Sequence, residues 1–227
     1  DWHAGEPAAA AVSAAVTAER MQAQADAARE AGVARPRQVL FGDLHVHSPF
    51  SLDAFMMALP TTGGDGAHPV SDACDFARFC SGLDFWSIND HALSTTPEMW
   101  RETVDSIRQC NAVAGDPANP DLVTYLGWEW SQIGNTPENH YGHKNVVLRD
   151  FEPERVPTRP IAALRPEFRV PLMPLAARAL LPLAYFSERQ RYFDYFLYAE
   201  EVDATPLCSF DVDTRDLPNT CHEVARD

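Results

Sequence analysis

No segment of this 227-residue chain is long and apolar enough to span a bilayer. The longest greasy run, from Pro171 to Phe186, is interrupted by Arg178 and three prolines, whereas a spanning helix takes about 20 apolar residues. Positive charge is scarce as well. Eighteen basic residues against thirty-three acidic ones leave a net charge of −15, a field that repels phosphate backbones and anionic lipid. These two shortages remove a membrane span and unspecific nucleic-acid binding from the expected functions. There is no internal repeat of solenoid type. The chain opens on Asp1 instead of Met, with no basic region leading into an apolar core, as expected of a processed or excised chain. What is present, 45% apolar and 10% aromatic residues, is the composition of a folded globular protein of one domain with appendages.

Five cysteines fit either an oxidising compartment or scattered reduced thiols. Cys208 and Cys221 bracket a short loop holding Asp211, Asp213, Asp216 and Pro218, where no packed core forms by itself. A disulfide there, expected if the protein is exported, removes loop entropy of roughly 3 kcal/mol in the chain-entropy model. Cys74 and Cys80 lie on different faces of an expected helix and do not pair with each other. Cys110 is the natural partner for one of them, and buried unpaired thiols are the alternative for all three.

Residues 8 to 31 are rich in Ala, Glu, Gln and Arg without internal Gly or Pro, which predicts an N-terminal helix ended by Gly32. Its mostly alanine apolar face suits the surface of something larger. Gln38 to His47 reads as a first buried strand, Phe85 to Ile88 as a second, Leu122 to Trp130 as a third and Lys144 to Leu148 as a fourth. Between them, 59 to 70 is a loop and 71 to 80 a short helix with Ser71 as N-cap. A further helix is capped by Thr95 or Thr96, carries Pro97 near its first position and Glu98 in its first turn, and stops before Gly115. Strands alternating with helices suggest parallel βα units, hence an α/β barrel or layered sheet. From Pro153 prolines recur at 157, 160, 166, 171, 174 and 182, followed by an aromatic, helical run from Tyr185 to Tyr198. The chain thus divides into a helical extension (1–37), an α/β domain (38–150) and a proline-rich and aromatic arm or insertion (151–227).

Six potential metal ligands stand at the ends of these strands: His45, His47, Asp53, His91, Glu129 and His143. In a parallel α/β fold the C-terminal strand ends open onto one face, so the spacing predicts convergence. Two residues apart on an extended strand, His45 and His47 present both imidazoles to one side, the geometry for chelating one cation. Imidazole suits zinc, iron, manganese or cobalt, and the carboxylates of Asp53 and Glu129 can bridge ions. Taken singly, His-x-His or Asp90-His91 is a common surface or turn pattern. Glu129 says more, because a carboxylate buried in an aromatic strand costs several kcal/mol without a cation or hydrogen-bond donors. For His140 and His143, flanking Tyr141-Gly142, the plain alternative is a solvated turn.

The segment FGDLHVHSPFSLDAF resembles the opening motif of the PHP (polymerase and histidinol phosphatase) superfamily and, in longer form, its domain-of-unknown-function 3604 family. LDFWSINDHA resembles the second motif, YLGWEWSQ the glutamate motif and NHYGHKNVVLRD the following histidine motif. The similarity covers residues 38 to 150 and continues more loosely to Cys221. It implies a distorted (β/α)7 barrel holding two or three divalent ions (Zn, Mn or Fe) and, in characterised relatives, hydrolysing phosphoesters. By the same resemblance His45 and His47 match the paired ligands and Asp53 the acidic residue of the first motif. His91 matches the second motif with Asp90 its neighbour in the site, Glu129 the bridging carboxylate, and His143 the next ligand. Glu129, His91 and His140 are the catalytic candidates, His140 as a group that contacts substrate or supports a ligand. The superfamily pattern goes on to a further histidine and an Asp-x-His. Here the only later histidine is His222, followed by Glu223, and neither lies in a matching motif.

The chain is therefore expected to hold the first half of such a barrel. Either it is a fragment of a longer protein, or a second chain supplies the remaining ligands, or the site is degenerate. The leading functional expectation is a metal-dependent hydrolase of a small phosphoester or another ester, with a small-molecule substrate. The alternative is a non-catalytic, metal-stabilised module of a larger assembly, favoured by the alanine-rich helix, the arm and the aromatic run as partner-seeking surfaces. A periplasmic or secreted location is expected, with the cytoplasm as alternative.

Overall fold

The computed structural model describes residues 2–34, 39–163, 172–209, 211–213 and 216–223. Gln38, Pro166 and Pro171, which figured in the expected first strand and the proline-rich arm, lie outside them. Four strands form one sheet: Gly42–Val46 (β1), Phe85–Ile88 (β2), Val123–Gln132 (β3) and Gly142–Leu148 (β4), in that spatial order. β1, β2 and β3 run parallel, with Phe85 opposite Gly42 on one side and Val123 on the other. The fourth strand departs from the expected parallel pattern. It pairs antiparallel with β3, Glu129 opposite Asn145 and Ser131 opposite His143. The connection from Gln132 to Gly142 is too short for a parallel crossover, which needs about a dozen residues and a helix, so the chain turns back as a hairpin. The sheet also curls. Although β1 and β4 are its two outer strands, Asn145 Nδ2 donates to Leu44 O at 2.8 Å. The architecture is mixed α/β with a curled, half-barrel sheet.

Helices cover this sheet for local reasons that the residues state. Pro97–Ala112 (α4) begins as expected: Thr96 Oγ1 accepts the Met99 N–H at 3.1 Å, and Pro97 supplies a preset φ. Trp100, Val104 and Ile107 recur at helical spacing and are buried. Asn111 closes the face by exchanging two hydrogen bonds with the backbone of Thr124. The short helix before β2 starts one residue earlier than expected. Val70–Asp75 (α3) follows Pro69, whose extended backbone takes the cap position, and the first-turn Ser71 N–H is satisfied by Ala4 O at 2.9 Å. It continues into a π-helical turn, Phe76–Cys80. The N-terminal helix, Ala14–Glu30 (α1), has no buried residue and is shorter than its composition predicts. Asp75 accepts the Ala8 N–H and Asp121 the Val12 N–H at 2.6 Å, so the two ends of residues 8–12 spend their amides on tertiary acceptors. Gly32 lies beyond the helix end with φ +67°.

One apolar core runs from Trp2 through Phe50, Phe55, Trp86, Ile88 and Leu126 to the aromatic helix Arg189–Ala204 (α6). Tyr192, Tyr195 and Tyr198 of α6 are buried, and Tyr198 packs on both Phe55 and Trp2. Leu52–Met57 (α2) leads from β1 into this core, and Leu175–Ala184 (α5) packs on α6. Cys74 and Cys110 form a disulfide that joins α3 to α4, and Cys208 and Cys221 form a second one. Cys80 is free and exposed. The second disulfide sits in a small cluster of its own with Leu217, tied to the rest by the buried Arg159–Glu223 ion pair at 2.8 Å.

Candidate metal centre

The six expected ligands come together where β1 and β2 end and the β3–β4 hairpin begins. His45 lies on β1 and His47 just beyond it, Asp53 in the first turn of α2, His91 after β2, Glu129 on β3 and His143 on β4. A bridge-type pairing of His91 with Glu129 extends the parallel ladder past the end of β2. At Gly127 the sheet passes so close that an added Cβ would lie 2.4 Å from Val146 O and 2.9 Å from Asn89 Nδ2. Glycine is therefore required two residues before Glu129 to seat β3.

Three overlapping groups of donor atoms result: His45, His47 and Glu129; His47, Asp53 and His91; His91, Glu129 and His143. In the first, His45 Nε2 and His47 Nε2 are 2.9 Å apart and lie 3.4 and 3.1 Å from Glu129 Oε2. In the second, Asp53 Oδ2 is 3.2 Å from His91 Nε2 and Asp53 Oδ1 is 3.9 Å from His47 Nδ1. In the third, His143 Nδ1 hydrogen-bonds Glu129 Oε1, and His91 Nδ1 is 3.7 Å from Glu129 Oε2. Glu129, 1% exposed, belongs to two of the groups.

The donor set fits a divalent cation. Bonds of about 2.0–2.1 Å in a tetrahedral zinc site place neighbouring donors roughly 3.3–3.4 Å apart, close to the 2.9, 3.1 and 3.4 Å edges of the first group. Mixed imidazole and carboxylate ligation suits zinc, iron or manganese. A carboxylate able to reach two groups, ringed by imidazoles and nearly closed to water, is also the arrangement that an uncompensated buried charge would forbid.

Electrostatics around the cluster follow its burial. Burial pulls His47 below the usual imidazole range, partly opposed by Asp90. Burial pulls the same way on His91, but the Asp53 hydrogen bond and charge, with Glu129 and Asp90 behind them, raise it overall. The His91 hydrogen bond in turn holds Asp53 at about 2. Asp90 is pushed up by complete burial, against the hydrogen bonds of Ser48 and Ser51.

His140, expected at the site, is not among the grouped donors. It is exposed on the β3–β4 loop with Nδ1 3.4 Å from Gly134 O. His222 and Glu223 belong to the second disulfide cluster, and Glu223 is taken by Arg159. Serines that no motif marks also stand at the site. Ser131 Oγ lies 2.9 Å from His91 Nδ1 and 3.4 Å from His143 Nδ1, and its place two residues after Glu129 on an extended strand could have flagged it. Ser48 and Ser51 carry no comparable signal. Comparison of the chain with protein-family models, with curated proteins and with solved structures finds no match.

Proposed function

We propose that this chain carries a metal centre of the PHP type and serves a hydrolase of small phosphoesters or other esters. The observation that carries this reading is the convergence of four histidines on the buried Glu129, with Asp53 grouped with two of them. Two or three divalent ions, zinc, manganese or iron, are the cofactors. When bound they supply Lewis acidity and a nucleophile at neutral pH. The protein's part is to hold and orient. His45, His47 and Glu129 form one cradle, His91, His143 and Glu129 the adjoining one, and Asp53 reaches His91 from the open side. Glu129 and His91 are the residues on which catalysis would depend most, and no side-chain nucleophile is required. The negative surface favours a small substrate over a long polyanion.

The first-half-of-a-barrel reading, from the motif resemblance, is part of the proposal. No described strand covers the outer edge of β1, and Leu40, Phe41 and Leu44 beside it are exposed, which suits closure by further polypeptide or a second chain. A periplasmic or secreted home is proposed from the two disulfides. The second reading, a metal-stabilised subunit without catalysis, is favoured by the exposed Leu175, Leu183 and Phe186 around α5.

The test is elemental analysis of protein purified without chelator, with hydrolysis of generic phosphoesters alongside. Near-stoichiometric transition metal is expected, and Glu129→Gln should lower metal content and any turnover by at least tenfold while Glu98→Gln on the exposed start of α4 changes neither. Equal effects of the two substitutions, or substoichiometric metal in every preparation, would remove the metal centre. Full metal without turnover would favour the subunit reading.

A further inference from the structure

Between β1 and α3 with its π-helical turn lies an open cavity of about 1020 Å³, at the upper end of small-molecule sites. His45 and His47, two of the candidate metal ligands, belong to its wall, and so do Phe76, Phe79 and Leu83. The two phenylalanines are 62% and 48% exposed, apolar surface left to water unless a ligand covers it.

Both rings are held on a fixed base. They stand in the π-helical turn Phe76–Cys80, closed by the Ser81 N–H on Phe76 O at 2.9 Å. Such turns are rare and recur at functional sites. Arg78, between the two in sequence, is fully buried instead. Its Nε lies 3.0 Å from Asp121 Oδ2, its Nη2 donates to Cys110 O at 2.7 Å, and its Nη1 is 3.4 Å from Cys74 Sγ of the buried disulfide. A turn anchored in this way presents its aromatic face with little left to order on binding.

Charge limits what the cavity can take. Asp43, Asp72 and Asp75 lie on the same wall, and among the described residues lining it there is no lysine or arginine. Asp43 accepts the His45 N–H, Asp75 the Ala8 N–H, and Asp72 lies 3.4 Å from His68 Nδ1. An anionic group would be repelled here, whereas an aromatic ring meets Phe76 and Phe79. Leu40, Phe41 and Leu44, the exposed residues that suit closure by further polypeptide, do not line the cavity, so the two surfaces are separate.

We propose that this cavity is the subsite for an uncharged aromatic group of the substrate, whose ester is held at the adjoining cradle of His45, His47 and Glu129. The substrate class is then an aryl or arylalkyl monoester with no second negative charge. The placing of the ester rests on the function proposed above, whereas the aromatic subsite does not.

Calorimetric titration of the zinc-loaded full chain compares methylphosphonate, benzylphosphonate and 4-carboxybenzylphosphonate, whose P–C bonds are not hydrolysed. Benzylphosphonate is expected to bind at least tenfold tighter than methylphosphonate, the gain of burying one phenyl ring. The added carboxylate should cancel most of that gain. Phe76→Ser/Phe79→Ser should bring the benzyl-to-methyl ratio to within about threefold of one, while Phe186→Ser, at an exposed aromatic outside the cavity, leaves the ratio as in wild type. Equal affinities in wild type, or a ratio that survives the double substitution, overturns the subsite, and a carboxylate tolerated without loss overturns its restriction to uncharged groups. If no phosphonate binds, the metal-held ester fails, and benzyl alcohol, which carries no anion, decides the subsite. It should slow alkylation of Cys80, the free thiol on the cavity wall, in wild type and not in the double variant. Alkylation unchanged by benzyl alcohol would then remove the subsite too.

Discussion

Glu129 and His222 are both almost fully buried, and their surroundings differ in kind. Glu129 is ringed by four imidazoles, so both its oxygens have polar partners in place. His222 is 4% exposed, and its Nε2 has no hydrogen-bond partner among the described residues. Burial alone holds it at about 4, well below the 6.5 of a free imidazole. The sign follows from which state binds the proton. Above pH 6.5 the ring is neutral both folded and unfolded and costs nothing. As pH falls below 6.5 the unfolded state gains a proton that the folded state refuses, so stability is lost progressively until about pH 4. The loss amounts to about 3 kcal/mol at most. Because Cys208 donates to His222 O and His222 to Pro206 O, both at 2.8 Å, the local strand pairing should open first. Amide hydrogen exchange, corrected for intrinsic rate, should show Cys208 and His222 losing protection between pH 6.5 and 4 while Trp86 keeps its own. Uniform behaviour of all three amides would place the acid-sensitive group elsewhere.

At the scale of elements, the two disulfides hold different things. Cys74–Cys110 spans 36 residues and staples α3 to α4 under the sheet, whereas Cys208–Cys221 spans 13 and closes a loop with its own small cluster. In the chain-entropy model the longer closure contributes about 4 kcal/mol and the shorter about 3. The difference in scope matters more than the difference in size. Cys74→Ala/Cys110→Ala should lower the global urea midpoint, with α4 and β3 losing exchange protection together. Cys208→Ala/Cys221→Ala should loosen mainly residues 207–222 and the Arg159–Glu223 pair. A global midpoint shift of equal size in the two double variants would show that the second cluster is part of the main cooperative unit.

For the whole molecule, the candidate ligands are spread over β1, α2, β3, β4 and the segment after β2, so ions bound in the separate groups would between them tie these elements together. Ligand that binds only the folded state stabilises it by mass action, about 4 kcal/mol at 1,000 times its Kd. Scanning calorimetry should therefore find a lower Tm after chelation, restored by zinc or manganese, and a Glu129→Gln protein whose Tm chelator barely moves. A chelator-insensitive wild-type Tm would mean that these side chains meet without holding an ion between the strands.

Much of this arrangement was readable from short stretches of sequence. The second strand spans Phe85 to Ile88 as the pattern predicts, Thr96 caps α4 with Pro97 behind it, and the His-x-His spacing puts both rings on one side of β1. Each of these depends on residues within a few positions of one another, where steric preference and periodicity act without help. Other features depend on partners far along the chain. Ala8 and Val12 give their amides to Asp75 and Asp121, and the Ser71 N–H, in the first turn of α3, is satisfied by Ala4 O. Cys74, not Cys80, reaches Cys110. Ser51 and Ser131 come to lie behind three histidines. Composition and spacing determined that this chain makes an α/β fold with histidines and carboxylates at its strand ends. Only tertiary packing decided which hydroxyl meets which ring and which amide meets which carboxylate, because hydrogen bonds act over about 3 Å between groups brought together by the folding of the whole chain.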